Sequence, residues 1–590
     1  MLDRYNDESV PNQPTQAPFA SSANTRRLCN PLSGVVASPI PIAPRYHCDP
    51  CFGRQLINNR LQISGLERGS TMKTIARSTH AATIFLVTIL IIATQASLSA
   101  VAQTPDVPAA HGDCAQLISL KLPDVQIAES IAVAAGTGAI KMGHCRVAGV
   151  IGKEIHFSLL LPDEWNHKFM MGGSGGFVGS VDNQAVSSVN MGYATVGTDT
   201  GHKGVATDAK WALNSMERLK NFGYLAVHRV DDTAKAIVKE YYQSAAKRSY
   251  FVGCSNGGRQ AMMEAQRYPD DFDGIVAGAP ALNFTAIGAQ FIKDSQASFP
   301  DAHKLTTPML PPETLKFVEK KVLEACDTLD GVKDGVMEDP RRCKFDIASL
   351  PACTDDQPGA QCVTTSQRNV LNAIYGETKS KTLVIYPGQP FGGEGEGGGW
   401  QLWVAGVNAP LMALQNAPNA RFAFGTEMFK YMVFDDPHWD YTRYDFSTWQ
   451  KDTAQLATLT NAINPNLDAF KNKGHKVVLW HGWADGGLNA LGTVDYYEQV
   501  EARDPKLRDY ARLFMLPGVL HCAGGPGPDS VDWATVISDW VENNKAPERV
   551  IARKIVGGTV TNSRPLCPYP QHAVYKGNGS TDDAEHFACR

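Results

Sequence analysis

Concentrated positive charge is what this chain most clearly lacks. Its 590 residues carry 55 Lys and Arg against 60 Asp and Glu, a formal net charge of -5, and no stretch gathers the basic residues into a run. That speaks against nucleic acid as the main partner. No G-x-x-x-x-G-K-[ST] occurs, and no G-x-G-x-x-G fits the glycine cluster Gly172–Gly176, so neither nucleotide-binding signature explains those glycines. No C-x-x-C pair occurs from residue 103 onward, which argues against a zinc site there. The chain also lacks an internal repeat. Charged residues make up only 19% and hydrophobic ones 43%, as in ordinary globular proteins. The length exceeds the ~250–300 residues at which a single core stops growing.

A hydrophobic run long enough to span a membrane is missing too. The strongest, "AATIFLVTILIIA" from Ala81, falls short of the ~20 residues a span needs. Lys73 and Arg77 precede it, and Ala100 and Ala102 form an Ala-x-Ala cleavage site after it. This layout predicts a secretory signal peptide over 72–102, with translation starting at Met72. Residues 1–71, aperiodic and rich in Asn, Pro, Ser and Arg, are expected to be an upstream misannotation outside the fold. The exported chain would keep no membrane anchor and would be secreted or periplasmic.

Export changes how cysteines are read, because disulfides persist outside the cytosol. Of 13 cysteines, Cys29, Cys48 and Cys51 precede the signal, and 13 − 3 leaves ten. An even set in an exported chain predicts full pairing, with a connectivity that the sequence leaves open.

From Glu154 to Ala281, strand-like runs ("EIHFSLLLP", "KFMMGG", "GYATVG", "SYFVG", "FDGIVAG") alternate with helical patterns. Alternation of this kind predicts a parallel sheet covered on both faces. It stops near Asn283 and resumes at "HKVVLWHGWAD", continuing through "GTVDYYEQVEA" to "LFMLPGVLHC". The expected organisation is therefore one α/β domain, 103–282 and 474–590, interrupted by an insertion over 283–473.

Within that frame, "GCSNGG" places Ser255 between an apolar strand and a helix. A G-x-S-x-G in this context predicts a nucleophile elbow, where glycines permit a sharp turn that leaves the hydroxyl exposed. A serine nucleophile needs a base, and the base needs an orienting carboxylate. Of the seven histidines after Ser255, only His521 follows an apolar strand near the end of the sheet, and Asp485 ends the strand before it. Ser255, Asp485 and His521 are thus the expected triad, with His481 a lower-ranked rival base. Oxyanion donors are expected from the N–H of Asn256 and of Gly175 or Gly176, which the sequence does not separate. A second feature is "CDTLDGVKDGV" (Cys326–Val336), whose Asp327, Asp330 and Asp334 suit calcium, although the loop lacks the spacing of a helix–loop–helix calcium site. A solvated acidic loop is the competing reading.

The segments "GCSNGGRQ", "HGWAD" and "LPGVLHC" resemble the triad segments of the tannase and feruloyl esterase family, and the likeness covers nearly all of the exported part. The resemblance implies an α/β-hydrolase fold with a large inserted lid domain. It implies a serine carboxylic-ester hydrolase acting on small-molecule esters of aromatic acids, with no organic cofactor. By the same resemblance Cys254 and Cys522, beside the serine and the histidine, would be bonded. The other pairs would be Cys114–Cys145, Cys326–Cys343, Cys353–Cys362 and Cys567–Cys589. The lid would hold a structural calcium on Asp327, Asp330 and Asp334 and the carbonyls of Val332 and Val336. Trp400, Trp403, Phe424 and Phe429 are aromatic candidates for the substrate site, each equally fit for a lid core. A general esterase or lipase on the same scaffold, or a non-catalytic protein that captures aromatic compounds, are the alternatives.

Overall fold

The structure, a computed structural model, describes residues 111–136, 138–305, 308–406 and 417–590. The expected signal peptide and the segment before it lie outside the described residues. Within them nine strands form one sheet: β1 (Val125–Val133), β2 (His144–Ile151), β3 (Ile155–Pro162), β4 (Lys168–Gly172), β5 (Ala194–Thr198), β6 (Arg248–Cys254), β7 (Gly274–Gly278), β8 (Lys476–Gly482) and β9 (Ala511–Leu516). Their order is β1-β2-β3-β5-β4-β6-β7-β8-β9. Pairings from β5 to β9 are parallel, whereas β1, β2 and β3 pair antiparallel, as does β3 with β5. The sheet is therefore mixed at its N-terminal edge, where strands joined by short turns can only run antiparallel.

Side chains alternate between two separate cores along the central strands. Phe169, Phe251, Ile275, Val477 and Leu513 enter one core, and their neighbours Met170, Tyr250, Val276, Val478 and Phe514 enter the other. A strand buried on both faces explains why these segments read as unbroken apolar runs. Burying each such side chain contributes roughly 1.5–3 kcal/mol. The first core is closed by α1 (Ala226–Tyr242), α2 (Asn256–Arg267) and, after β8, α6 (Ala490–Arg503); the second by α7 (Trp533–Asn543), through Ile537 and Trp540.

Between β7 and β8 the described chain adds no strand to this sheet. It makes α3 (Phe284–Ser298), α4 (Pro312–Cys326) and α5 (Ala420–Glu427), with a further helix over Thr365–Tyr375 and shorter turns between them. These share a third core in which Trp400 and Phe429 are fully buried. The excursion leaves and returns at one point: Ala462 N–H donates to Leu282 O at 2.9 Å, and Asn461 Oδ1 accepts from Thr285 N–H at 3.1 Å.

Among the described residues five disulfides form, Cys114–Cys145, Cys254–Cys522, Cys326–Cys343, Cys353–Cys362 and Cys567–Cys589. They use all ten cysteines of the expected exported chain, in the pairs the family resemblance implies. No helix among the described residues is long and apolar enough to cross a membrane.

Candidate active site

Ser255 follows β6 and precedes α2 with φ +64° and ψ −125°, a conformation that strains any side-chain-bearing residue. Its surroundings impose that turn. The Ser255 N–H donates to Gly278 O on β7 (3.0 Å), and its carbonyl accepts from Arg259 N–H (3.0 Å) and Ala281 N–H (3.2 Å). Three glycines allow the close packing. A Cβ on Gly253 would lie 2.6 Å from the Gly257 carbonyl carbon, one on Gly257 2.3 Å from Gln184 Oε1, and one on Gly173 2.6 Å from Gly257 Cα. Gln184 holds the strand side of the turn, accepting from Cys254 N–H at 2.7 Å and donating to Cys254 O at 3.3 Å.

The three residues expected from chain order meet. His521 Nε2 lies 2.9 Å from Ser255 Oγ, and His521 Nδ1 lies 2.7 Å from Asp485 Oδ2. Asp485 is fully buried, and its Oδ1 accepts from the N–H groups of Gly487 and Leu488, each at 2.8 Å. Burial alone would push this carboxyl up; the charge of His521 and hydrogen bonds from His481 and His521 outweigh it and hold the group below the ordinary carboxylate range. The Cys254–Cys522 bond spans 268 residues with Cα atoms 6.0 Å apart, which ties the elbow to the loop carrying His521.

His481 does not reach the serine. Its Nε2 lies 3.1 Å from both Asp485 Oδ2 and Leu488 O, and its Nδ1 lies 2.8 Å from Thr493 Oγ1. Both neighbours of Nε2 are acceptors, so Nε2 carries the proton and Nδ1 accepts from the threonine hydroxyl. The residue ranked as a rival base is a buried second donor to the acid.

The two candidate glycines differ. Gly175 N–H donates to Asp182 Oδ2 at 3.0 Å. Gly176, at φ +54°, lines the cavity over Ser255 together with Asn256, and its N–H finds no acceptor among the described residues. The Asn256 side chain bridges the two sides of this region, donating through Nδ2 to Ser174 O (3.1 Å) and accepting at Oδ1 from Arg259 Nε (2.8 Å). Arg259 is fully buried and faces no carboxylate; its other donors serve the carbonyls of Phe222, Gly223 and Thr460. Burial lowers its pKa to about 9.

The cavity over Ser255 is small, about 40 Å³. Phe177, Ala281 and Leu488 enclose it from the sheet side. The excursion supplies Phe284, Ile287, Phe291, Trp403, Phe424 and Met428. Trp403 meets the His521 ring edge-on, at 5.2 Å and 83°, and stacks on Phe424 at 5.8 Å. Of the four aromatic candidates, Trp403 and Phe424 line this cavity, while Trp400 and Phe429 are core.

Two groups of acids lie elsewhere. In the acidic loop, Asp330 Oδ1 and Oδ2 accept from the N–H groups of Val332 and Glu338, Asp327 Oδ1 from Gly335, and Asp334 Oδ1 from Val336. Burial raises the pKa of Asp327 and Asp330, and Arg564 pairs with Asp334 and Glu338. Four carboxylates against one buried guanidinium form a hard-oxygen donor set short of positive charge, which fits calcium. Among the described residues only His228, Glu264 and Asp271 bring three His, Cys, Asp or Glu ligand atoms within 4.8 Å of one another, so the loop carboxylates are spread more widely than that. In this second group, His228 Nδ1 lies 2.6 Å from Asp271 Oδ2, and Lys235 pairs with the adjacent buried Asp231 at 2.7 Å. Glu264 is buried without a donor, and burial, then the charges of Asp271 and Asp231, push its pKa well up.

Sequence reasoning did not find Gln184, Asp182 or Arg259. Arg259 lies one helical turn after Ser255 and was open to suspicion on that ground; the two loop residues carry no signal of their contacts.

Comparison with known proteins places the chain in a family. Residues 140–590 match the family model described as tannase and feruloyl esterase. The chain is 31% identical over 548 residues to the mono(2-hydroxyethyl) terephthalate hydrolase of Piscinibacter sakaiensis, covering 81% of this chain and 90% of that protein. It is 30% identical over 462 residues to a probable feruloyl esterase B of Aspergillus niger, covering 73% and 82%. Among solved structures, feruloyl esterase B from Aspergillus oryzae superposes with a TM-score of 0.73 at 27% identity, covering 81% of this chain and 99% of that one. The chain, an α/β-hydrolase, belongs to the tannase and feruloyl esterase family of carboxylic ester hydrolases.

Proposed function

We propose that this protein is an exported serine esterase that cleaves esters of aromatic acids through an acyl-enzyme. The observation that carries the proposal is the relay from Asp485 through His521 to Ser255, with 2.7 and 2.9 Å between successive heavy atoms. His521 Nε2 takes the Ser255 proton as Oγ attacks the ester carbonyl. Asp485, ionised and buried, holds the imidazole in the tautomer with its proton on Nδ1 and stabilises the imidazolium. The N–H groups of Asn256 and Gly176 receive the developing oxyanion, Asn256 standing at the N-terminus of α2 where the helix dipole favours negative charge. His521 then returns a proton to the leaving alcohol, and water, activated by the same histidine, releases the acid.

The ring of the acid would occupy the apolar cavity. At about 40 Å³ it is smaller than the ~150 Å³ that holds a benzene, so the walls from the excursion must shift to admit it, as a lid would. A calcium held by Asp327, Asp330 and Asp334 and the carbonyls of Val332 and Val336 would supply charge neutralisation to that loop and no chemistry. Chelation with EGTA should then lower the melting temperature by a few degrees, reversibly on adding calcium. Export through the 72–102 signal is supported by five disulfides, which persist in oxidising compartments.

The test is Ser255→Ala. It should abolish hydrolysis of methyl ferulate and labelling by a fluorophosphonate while leaving the melting temperature unchanged. Activity that survives the substitution refutes the mechanism.

A further inference from the structure

We infer that the aromatic acid accepted here carries no second ionised group on its ring, so that a monoester of terephthalic acid is discriminated against relative to an uncharged benzoate ester. The inference rests on the function proposed above and specifies its substrate class.

The cavity wall is the ground for it. None of the side chains lining the cavity is charged. The polar side chains among its lining residues are Ser255, Asn256, whose amide is already bonded to Ser174 O and Arg259 Nε, and Trp403, whose Nε1 is buried without a partner among the described residues. Three cations that stand beside the lining residues are already committed. Arg421 stands over the Phe291 ring, 5.9 Å from its centroid, and is fully buried. Its donors go to Asp294 Oδ2 (2.5 Å), Gln389 Oε1 (2.9 Å) and Gly486 O (2.8 and 3.1 Å). Lys293 is bonded to the carbonyls of Ala373 (2.5 Å) and Gly376 (2.7 Å) and lies 3.5 Å from Asp294. Arg259 lies against the Phe222 and Phe284 rings with its donors spent on Asn256 and carbonyls. Residues 407–416, VNAPLMALQN, contain no Lys, Arg or His.

A ring carboxylate entering this space would lose its water and meet neither a cation nor an array of donors, and an unpaired buried charge is strongly disfavoured. A neutral substituent loses far less. A methoxy or ester oxygen carries no charge and only accepts, and the unpartnered Trp403 N–H is a donor. Selectivity of this kind comes from what a site fails to satisfy and is commonly larger than that from an added contact.

The experiment compares kcat/KM at neutral pH on the purified protein for methyl 4-methylbenzoate, dimethyl terephthalate and monomethyl terephthalate. All three are para-substituted methyl benzoates; dimethyl terephthalate carries two equivalent scissile esters and the others one. The ester of 4-methylbenzoate is chemically no more electrophilic than that of the monoanion, so any preference for it comes from the protein. Dimethyl terephthalate, activated by its second ester, should be hydrolysed at least as fast as methyl 4-methylbenzoate, and the monoanion at least about 100-fold more slowly than methyl 4-methylbenzoate. Turnover of monomethyl terephthalate within about threefold of methyl 4-methylbenzoate overturns the inference and leaves the esterase assignment standing. Hydrolysis of none of the three overturns both.

Discussion

His481 Nε2 and Asp485 Oδ2 lie 3.1 Å apart in a fully buried pocket, and the same oxygen receives His521 Nδ1 at 2.7 Å. One carboxylate oxygen is thus shared by the histidine that faces the serine and by one that does not. A hydrogen bond to a charged group contributes about 1.5–3 kcal/mol. His481→Phe should therefore lower kcat by about 10- to 100-fold with little change in KM, and His481→Gln, which keeps a donor, should recover part of the loss. The Asp485 carboxyl is depressed in the folded state, so its stabilisation is complete above its ordinary value of about 3.9 and is lost as pH falls further. The gap in melting temperature between wild type and His481→Phe should then be constant from pH 5 to 8 and narrow below pH 4. A constant gap down to pH 3 contradicts this coupling.

The two glycines beside the cavity should respond oppositely to a methyl group. A Cβ on Gly175 would meet nothing closer than Gln184 Nε2 at 3.8 Å, whereas one on Gly176, at φ +54°, would lie 2.4 Å from Ala206 O. Gly175→Ala should retain near-wild-type kcat, and Gly176→Ala, whose Cβ forces the loop and its N–H away from the cavity, should lose up to roughly 10²–10³-fold, the cost of losing one oxyanion donor. Equal losses would mean that the cluster acts only through packing.

Reduction should act on the clamp before it acts on the fold. The Cys254–Cys522 bond joins residues that each adjoin a member of the catalytic pair, and Cys254 is only partly buried. Titration with dithiothreitol should abolish esterase activity at concentrations that leave the far-ultraviolet circular dichroism intact. Coincident loss of both signals would assign the bond a purely architectural role.

The buried cluster behind α2 makes its own pH prediction. Burial raises the Asp231 pKa to about 7, and Glu264 is pushed well above its ordinary value. Acids raised in this way bind more protons folded than unfolded, so stability declines as pH climbs from the unfolded values, near 4, toward the folded ones. Glu264→Gln mimics the protonated acid. It should melt on the order of 1–3 °C higher than wild type at pH 8 and converge with it near pH 4. A variant less stable than wild type at pH 8 refutes this view.

The central fold and the triad were legible because each rests on local patterns with few alternatives. Unbroken apolar runs such as Phe169–Met171 mark strands buried on both faces, and a serine between Gly253 and Gly257 at a strand-to-helix junction has one common use. Chain order then singled out Asp485 and His521. The antiparallel edge was not read, because β1 and β2 lie outside the strand–helix alternation that marks the parallel part. Nor could the sequence tell Trp403 from Trp400, three residues apart on one short helix (Trp400–Trp403). Which of the two faces the serine depends on how the excursion folds around α3 and α5. Gln184 and Asp182 act across long loops, and nothing in their own neighbourhoods signals the atoms they hold.

The hydrogen bond between Ala462 and Leu282 also bears on how such a protein can diversify. Ser255 precedes this crossing point and Asp485 and His521 follow it, so the intervening 179 residues (461 − 282) form a side loop hung from a closed neck. Length and sequence inside that loop can drift without altering the register of any sheet strand, so long as Gln389 and Arg421 keep their bonds to the carbonyls of Asp485 and Gly486. New substrate preferences can therefore be tried on an unchanged engine, and hybrid enzymes joined at residues 282 and 462 are the natural way to transplant them.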